Sequence, residues 1–351
     1  MTTLLARYTN ALTGLAAGDA WGYQVEFTTY DRMKERPVPP PPALWRISDD
    51  TQMTIALHRA LSECADFSDV DETTAIITKH FLNWAIDPDN NRAPGRTCMT
   101  SLRHLREGAH WSDPDGALES AGCGAVMRLT PAAFTSDRHW LGLTALQALI
   151  THKHPRAVAS SLLVADALRN ADRRPGRFLD HALDAVVDIY EATSCWLTDP
   201  YLAEILSPIT TDPTGYLIDG LDDGILDALL RADDARTELR ILSTAEYGDP
   251  CEGIGEGWEC ATATALAFMV ADMTTSPTGE RAPLSPRGGL AWAATSNGDS
   301  DSIAAIAGAL VGAASVDPHF WRKASVAPRF ESRYEAELAA CSGNAVVSLF
   351  G

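Results

Sequence analysis

Apolar residues recur at steps of three and four along most of the chain. From Leu4 through Leu5, Tyr8, Ala11, Leu12, Leu15 and Ala16 this spacing lays one apolar stripe along a cylinder and predicts an amphipathic helix. The same spacing predicts helices around Ile55 to Leu61, Ile76 to Trp84, Trp140 to Ile150, Val158 to Leu168, Phe178 to Tyr190, Ile225 to Leu229, Trp258 to Val270 and Ile303 to Val311. Convincing period-two alternation, the mark of a half-buried strand, is hard to find. The expected fold is therefore all-α. Alanine abounds in these segments and permits close helix packing, while proline and glycine gather between them, at Pro37 to Pro42 and Ser276 to Gly289. The chain from 1 to 351 reads as a single compact multi-helix domain with the proline run as a stiff loop. Were that run a linker, the candidate site below would lie between two domains. No internal repeat of fixed period is evident. The segment after Asp317 is expected to pack as a terminal helix and tail.

Composition narrows the partners. Of the 351 residues, 46% are hydrophobic and 21% charged, enough to bury a large core. Lys and Arg number 28 against 47 Asp and Glu, and the net charge of −19 opposes any binding that neutralises many phosphates. Bulk nucleic acid and acidic membrane surfaces are not expected partners. A small anion can still bind where metal ions, helix N-termini or local arginines reverse the potential. No stretch approaches the roughly eighteen apolar residues of a membrane span, and the N-terminus lacks a basic segment followed by an apolar one and a cleavage site, so a cytoplasmic location is expected. The seven Cys are scattered without a CxxC pair, which suggests neither a disulfide framework nor a zinc cage.

Two acidic clusters each precede a predicted helix: Ser48-Asp49-Asp50-Thr51 and Asp299-Ser300-Asp301-Ser302. Either one alone reads equally well as a helix N-cap, where Ser and Asp are favoured. Together they ask for more. Both lead into apolar, Ala-rich helices, and packing Asp49, Asp50, Asp299 and Asp301 without cations is costly. Carboxylate and hydroxyl oxygens side by side are the ligand set that hard divalent cations take.

These clusters belong to a longer series of blocks. The series begins with Gly14-Leu15-Ala16-Ala17-Gly18-Asp19-Ala20 and Gly22 to Glu26-Phe27, then Ser48-Asp49-Asp50-Thr51-Gln52-Met53-Thr54. It resumes with Gly122-Cys123-Gly124-Ala125-Val126-Met127-Arg128, Pro131, and Thr151-His152-Lys153-His154-Pro155. It ends with Gly257-Trp258 and Asn297-Gly298-Asp299-Ser300-Asp301-Ser302-Ile303-Ala304, followed by Gly308, Gly312 and Ala313. In this order, over residues 4 to 315, the chain resembles the ADP-ribosylglycohydrolase family.

The resemblance implies a site. Ser48, Asp49 and Asp50 with Asp299, Asp301 and Ser302 are expected to hold two Mg²⁺ or Mn²⁺ ions beside a ribose, which draws Asp50 and Asp301 into the attack of water at the anomeric carbon. Ser stands at 48 and 302 where many relatives carry Thr, and keeps the hydroxyl. Glu26 aligns with a loop glutamate near the scissile bond and is the expected acid or base, against the alternative of an ordinary surface carboxylate. Gly122, Cys123 and Gly124 are expected to meet the ligand through backbone, with no thiol chemistry, and Met127 to lie beside them. His152 is expected to line the ADP-ribose pocket and His154, before Pro155, to cap the next helix; two residues apart, they do not form a zinc-binding helical pair. Trp258 either stacks on the ligand or anchors its helix. Arg128 pairs with an acid or the diphosphate, or forms a buried structural salt bridge. Asp19, in a small-residue helix, is expected to bond structurally.

The activity so implied is release of ADP-ribose from an ADP-ribosylated acceptor by a monomer, with a protein side chain as first choice of acceptor and nucleic-acid or small-molecule conjugates next. Two rivals stand against it. A two-metal phosphoester hydrolase uses similar aspartate pairs, and a catalytically inactive ADP-ribose-binding protein can share the fold.

Overall fold

The computed structural model describes residues 3–277 and 279–343. Helices dominate: α1 Thr3–Gly22, α2 Asp49–Glu63, α3 Val70–Ala85, α4 Arg96–Arg106, α5 Thr130–Ala133, α6 Trp140–Leu149, α7 Pro155–Asn170 and α8 Phe178–Tyr190. After these come α9 Pro200–Leu206, α10 Pro213–Gly220, α11 Leu226–Leu239, α12 Cys260–Thr274, α13 Pro286–Ala293, α14 Ser300–Ala313, α15 Phe320–Lys323 and α16 Ser332–Cys341. Among the described residues extended pairing is confined to isolated bridges, Trp45 with Phe330, Leu118 with His152 and Gly122 with Glu259. The all-α expectation holds, and α16 is the last helix among the described residues, while the tail expected after it lies beyond residue 343, outside them. Among the described residues no helix is long and apolar enough to cross a membrane.

The centre of the fold is the antiparallel pair α1 and α14. Gly14, Gly18 and Gly22 recur every four residues and so share one face. A Cβ on Gly14 would stand 2.1 Å from the Gly308 carbonyl oxygen, one on Gly18 2.0 Å from that of Ala304, and one on Gly22 2.3 Å from that of Ser300. Reciprocally, a Cβ on Gly308 would stand 2.1 Å from Gly14 O, and one on Gly312 2.2 Å from Asn10 O. The two backbones touch along this seam, an approach only glycine permits. Every residue from Ser300 to Ala313 is buried, as expected of a helix apolar on all sides. The register carries the last turn of α1 to the first turn of α14, where Ser300 Oγ donates to Gly22 O at 2.9 Å. The loop after α1 is thereby delivered to the second acidic cluster.

Several elements depart from the periodicity. The helix expected from Trp258 starts at Cys260, because Glu259 pairs with Gly122 and holds Trp258 in the preceding turn. The Ser276–Gly289 stretch, expected as loop, gives way to α13 at Pro286. Proline at the first helical position lacks only an N–H that would be unpaired anyway, and Ser285 Oγ accepts from Gly288 N at 3.1 Å. Asp199 and Asp212 cap α9 and α10 before prolines in the same manner. The α4 helix shows no apolar stripe in sequence because it buries only Cys98, Ser101 and Leu102.

Candidate active site

The first acidic cluster is fixed from α1. Asp19, fully buried, accepts from Ser48 N at 2.8 Å, from Thr51 N at 3.1 Å and from the Thr51 hydroxyl. These contacts satisfy the otherwise unpaired donors of the α2 N-terminus, the structural role expected of Asp19. Ser48 Oγ accepts from Asp50 N at 3.2 Å as the N-cap. Ser48 does not line the pocket; its hydroxyl works at the cap and toward Asp19. Asp49 Oδ2 accepts from Gly95 N at 3.1 Å, which ties the loop before α4 to the cluster.

The second cluster is built differently. Asp299 stands at the N-cap of α14 but makes no capping bond with its side chain. Instead Cys123 Sγ–H donates to Asp299 Oδ2 at 2.7 Å and lies 3.6 Å from Ser302 Oγ. Ser302 also reaches the Asp50 carboxylate, which joins the two helix starts. The Cys123 thiol is thus a carboxylate partner, and its backbone N–H is taken by Trp258 O at 3.1 Å. The backbone contact expected of Cys123 is engaged within the protein, because the Gly122–Glu259 bridge pairs these two turns. Burial and the adjacent Asp299 hold the thiol well above its ordinary pKa.

These residues line one pocket of about 450 Å³. Its walls include the acidic set Glu26, Asp49, Asp50, Asp299, Asp301 and Ser302, together with Gly122, Cys123, Gly124, Met127, His152 and Trp258. Sequence reasoning thus brought together every candidate except Ser48. His152 is buried, its Nδ1 2.7 Å from Thr151 Oγ1, and burial holds it neutral by lowering its pKa well below the usual value. A Cβ on Gly124 would stand 3.0 Å from His152 Cε1, so glycine there makes room for the ring. Trp258 is half-exposed and stacks on the exposed Phe27, with centroids 6.4 Å apart and planes 15° from parallel. It forms the pocket's mouth and does not anchor a helix. Arg128 reaches neither an acid nor the pocket: it donates to Gln147 Oε1, Gln147 O and Thr151 Oγ1 and lies over the Phe81 ring, which fixes the turn bearing His152. His154 caps α7 as expected, accepting from Arg156 N.

Electrostatically the pocket is under strain as it stands. Burial, and after it the neighbouring carboxylates, push Asp50 and Asp301 well above the usual carboxylate range and Glu26 up to about 8. Asp49 is also raised to about 8, chiefly by burial. Asp50 Oδ2, Asp301 Oδ1 and Glu26 Oε2 are buried without any hydrogen-bond partner. Such orphaned acceptors are rare and costly unless a cation or a donor meets them. The donor set, carboxylates with the Ser302 hydroxyl, suits Mg²⁺ or Mn²⁺. By residue type this wall could take such an ion, but among the described residues no group of three or more Asp, Glu, His or Cys side chains is placed so as to hold one.

The sequence reading missed the wall formed by Ala93, Pro94, Gly95, Arg96, Thr97 and Cys98. Its signal was present as Pro-Gly ahead of an Arg-Thr helix start, a turn that brings the Gly95 N–H to Asp49. A cavity of about 590 Å³ beside Arg7, Trp140 and Arg169 is larger than the pocket. There the Arg7 guanidinium already donates to Leu168 O and Ala313 O, and that of Arg169 to Ala133 O and Thr135 O. The chemistry-bearing groups lie in the smaller pocket.

The all-α fold is shared with a solved ADP-ribosylglycohydrolase-related protein complex, which aligns over 97% of this chain and 98% of that one with a TM-score of 0.57 and 22% identity. At that identity the likeness establishes the fold. The profile of the ADP-ribosylglycohydrolase family matches residues 1–324, and the chain belongs to that family. It is 33% identical over 178 residues to the ADP-ribosyl-[dinitrogen reductase] glycohydrolase of Rhodospirillum rubrum, covering 44% of this chain and 54% of that protein. It is 30% identical over 187 residues to the uncharacterized protein YegU of Escherichia coli (strain K12), covering 47% and 54%. The chain spans about half the length of the curated relatives it matches.

Proposed function

We propose that this protein is a divalent-metal-dependent hydrolase that releases ADP-ribose from an ADP-ribosylated acceptor, with a protein side chain as the preferred acceptor. The observation that carries the reading is the convergence of the orphaned oxygens of Asp50, Asp301 and Glu26 in one pocket. Asp49, Asp50, Asp299, Asp301 and Ser302 would hold two Mg²⁺ or Mn²⁺ ions, with Ser48 setting the orientation of Asp50 from the cap. When bound, the ions would supply Lewis-acid orientation of ribose hydroxyls and activation of a water.

The side chains of this chain then divide the remaining work. Asp50 and Asp301, fixed on two helix starts, orient the sugar edge toward the acidic wall. Glu26 is the acid–base group: its free Oε2 moves a proton at the scissile bond, where a carboxyl with pKa near neutrality is effective. The Gly122–Gly124 turn and neutral His152 offer a close, uncharged wall to the ribose or diphosphate. Phe27 and Trp258 shield the mouth from water. Family membership and the Rhodospirillum rubrum relative named as a glycohydrolase support the reaction class. The test is release of free ADP-ribose from arginine-, serine- and nucleotide-linked conjugates, with Mn²⁺ and with chelator. Release that depends on metal supports the proposal, and failure on all three conjugates refutes it.

A further inference from the structure

Three segments distant in sequence meet at the mouth of the pocket: the loop carrying Glu26 and Phe27, the turn carrying Glu256 and Trp258, and the turn before α14 carrying Asn297. Their contacts form a closed circuit. The Phe27 ring stacks on Trp258. Trp258 Nε1 donates to Glu256 Oε2 at 3.2 Å, and the other oxygen, Glu256 Oε1, accepts from Asn297 Nδ2 at 3.3 Å. Asn297 Oδ1 in turn accepts from Tyr30 N at 2.9 Å, three residues beyond Phe27. Asn297 is itself held by its backbone N–H, which donates to Asp249 Oδ1 at 3.0 Å.

We infer that Glu256 and Asn297 are positioning residues for the proposed reaction: they form a clasp that holds the Glu26–Phe27 loop and the Trp258 turn together over the substrate. The inference rests on the functional reading above and adds two residues to it. The Glu256 carboxylate ties Trp258 of its own turn to Asn297, and Asn297 holds the loop through Tyr30 N, so the three segments are joined in series. The bridging bonds lie at an exposed carboxylate, where water competes with each, and so the clasp can open for a ligand to enter and leave. Gly298 makes the approach possible. Its φ is +138°, and a Cβ there would stand 2.2 Å from Glu256 O. The backbone bond from Asp299 N to Glu256 O, at 2.9 Å, keeps the turn in place independently of the Glu256 side chain.

That independence makes Glu256→Ala a clean probe, because the α14 start keeps its backbone partner. Amide hydrogen exchange over residues 26–32 is measured on the full chain, together with affinities for ADP-ribose and Mn²⁺. The clasp predicts faster exchange at Tyr30, which Glu256 does not touch, and ADP-ribose binding weaker by roughly five- to tenfold, the effect of about one net hydrogen bond. Mn²⁺ affinity should stay within about twofold, since no expected ligand is removed. Glu256→Gln, which keeps one acceptor oxygen, should recover part of the protection, and Trp258→Phe, which keeps the ring but loses its donor, should lose part of it. Unchanged Tyr30 exchange in both Glu256→Ala and Trp258→Phe would overturn the clasp. If the unaltered protein bound no ADP-ribose, the functional reading would fall, and the exchange result would still decide the clasp.

Discussion

The starts of α2 and α14 carry nearly the same sequence chemistry, Ser-Asp-Asp-Thr against Asp-Ser-Asp-Ser, yet they are held by opposite means. At α2 the backbone donors are satisfied by Asp19 from another helix and by Ser48 from the cap. At α14 no side chain caps the helix; Asp299 turns to a thiol donor and Ser300 to a carbonyl of α1. One start is held by side chains that bond its backbone, the other by the bond from Asp299 N to Glu256 O and the glycine seam behind it. The difference teaches that two helix starts of like sequence can be anchored by different partners. Whichever anchor is used, Asp50 and Asp301 are left facing a common space with an oxygen each unpaired.

Breaking the seam should have the largest effect. Gly308→Val would drive a side chain into the Gly14 carbonyl, and destabilisation beyond about 4 kcal/mol is expected, read as insoluble protein or a collapsed urea midpoint. Removing the polar anchor is next. Asp19→Ala strands buried donors at Ser48 and Thr51 and should cost about 3–5 kcal/mol in chemical denaturation. Asp301→Asn separates function from fold: turnover should fall more than about a hundredfold and the stabilisation by Mn²⁺ should vanish. The metal-free protein should meanwhile become slightly more stable by thermal melt, as one repelling carboxylate is gone.

A smaller effect concerns the attachment of α2 to α1. His58 Nδ1 lies 2.5 Å from Tyr8 OH, and burial, helped by Arg59, lowers the His58 pKa from 6.5 to about 4. The folded state favours the neutral ring, so this stability is complete above pH 6.5 and is lost as pH falls through 4. His58→Gln should make the acid limb of a stability–pH profile shallower. Smallest of all, Cys123→Ala removes one donor from Asp299 and should change Mn²⁺ affinity by only about two- to fivefold by titration calorimetry.

Much of this arrangement is legible in the sequence. Period-three and period-four spacing locates α1, α2, α12 and α14, because each buries a full apolar face. The two acidic clusters mark their own helix starts, because Ser and Asp before an apolar run carry a local physical meaning. What sequence conceals is pairing across distance. Nothing local joins Cys123 to Asp299 or Asn297 to Glu256, and the Gly95 contact with Asp49 depends on a turn whose residues are ordinary for any loop. Ser48 shows a local role beside the one its residue type suggests. Its hydroxyl fits a ligand set by type, and it also accepts from the backbone of its own helix.

The claim that supports the rest is that carboxylates from two separate helices jointly hold divalent cations. Anomalous diffraction from crystals grown in Mn²⁺ tests it directly. Two peaks are predicted in the pocket, contacted by oxygens of Asp49 or Asp50 from one side and of Asp299 or Asp301 from the other. A map with saturating Mn²⁺ and no peak between these four side chains would contradict it.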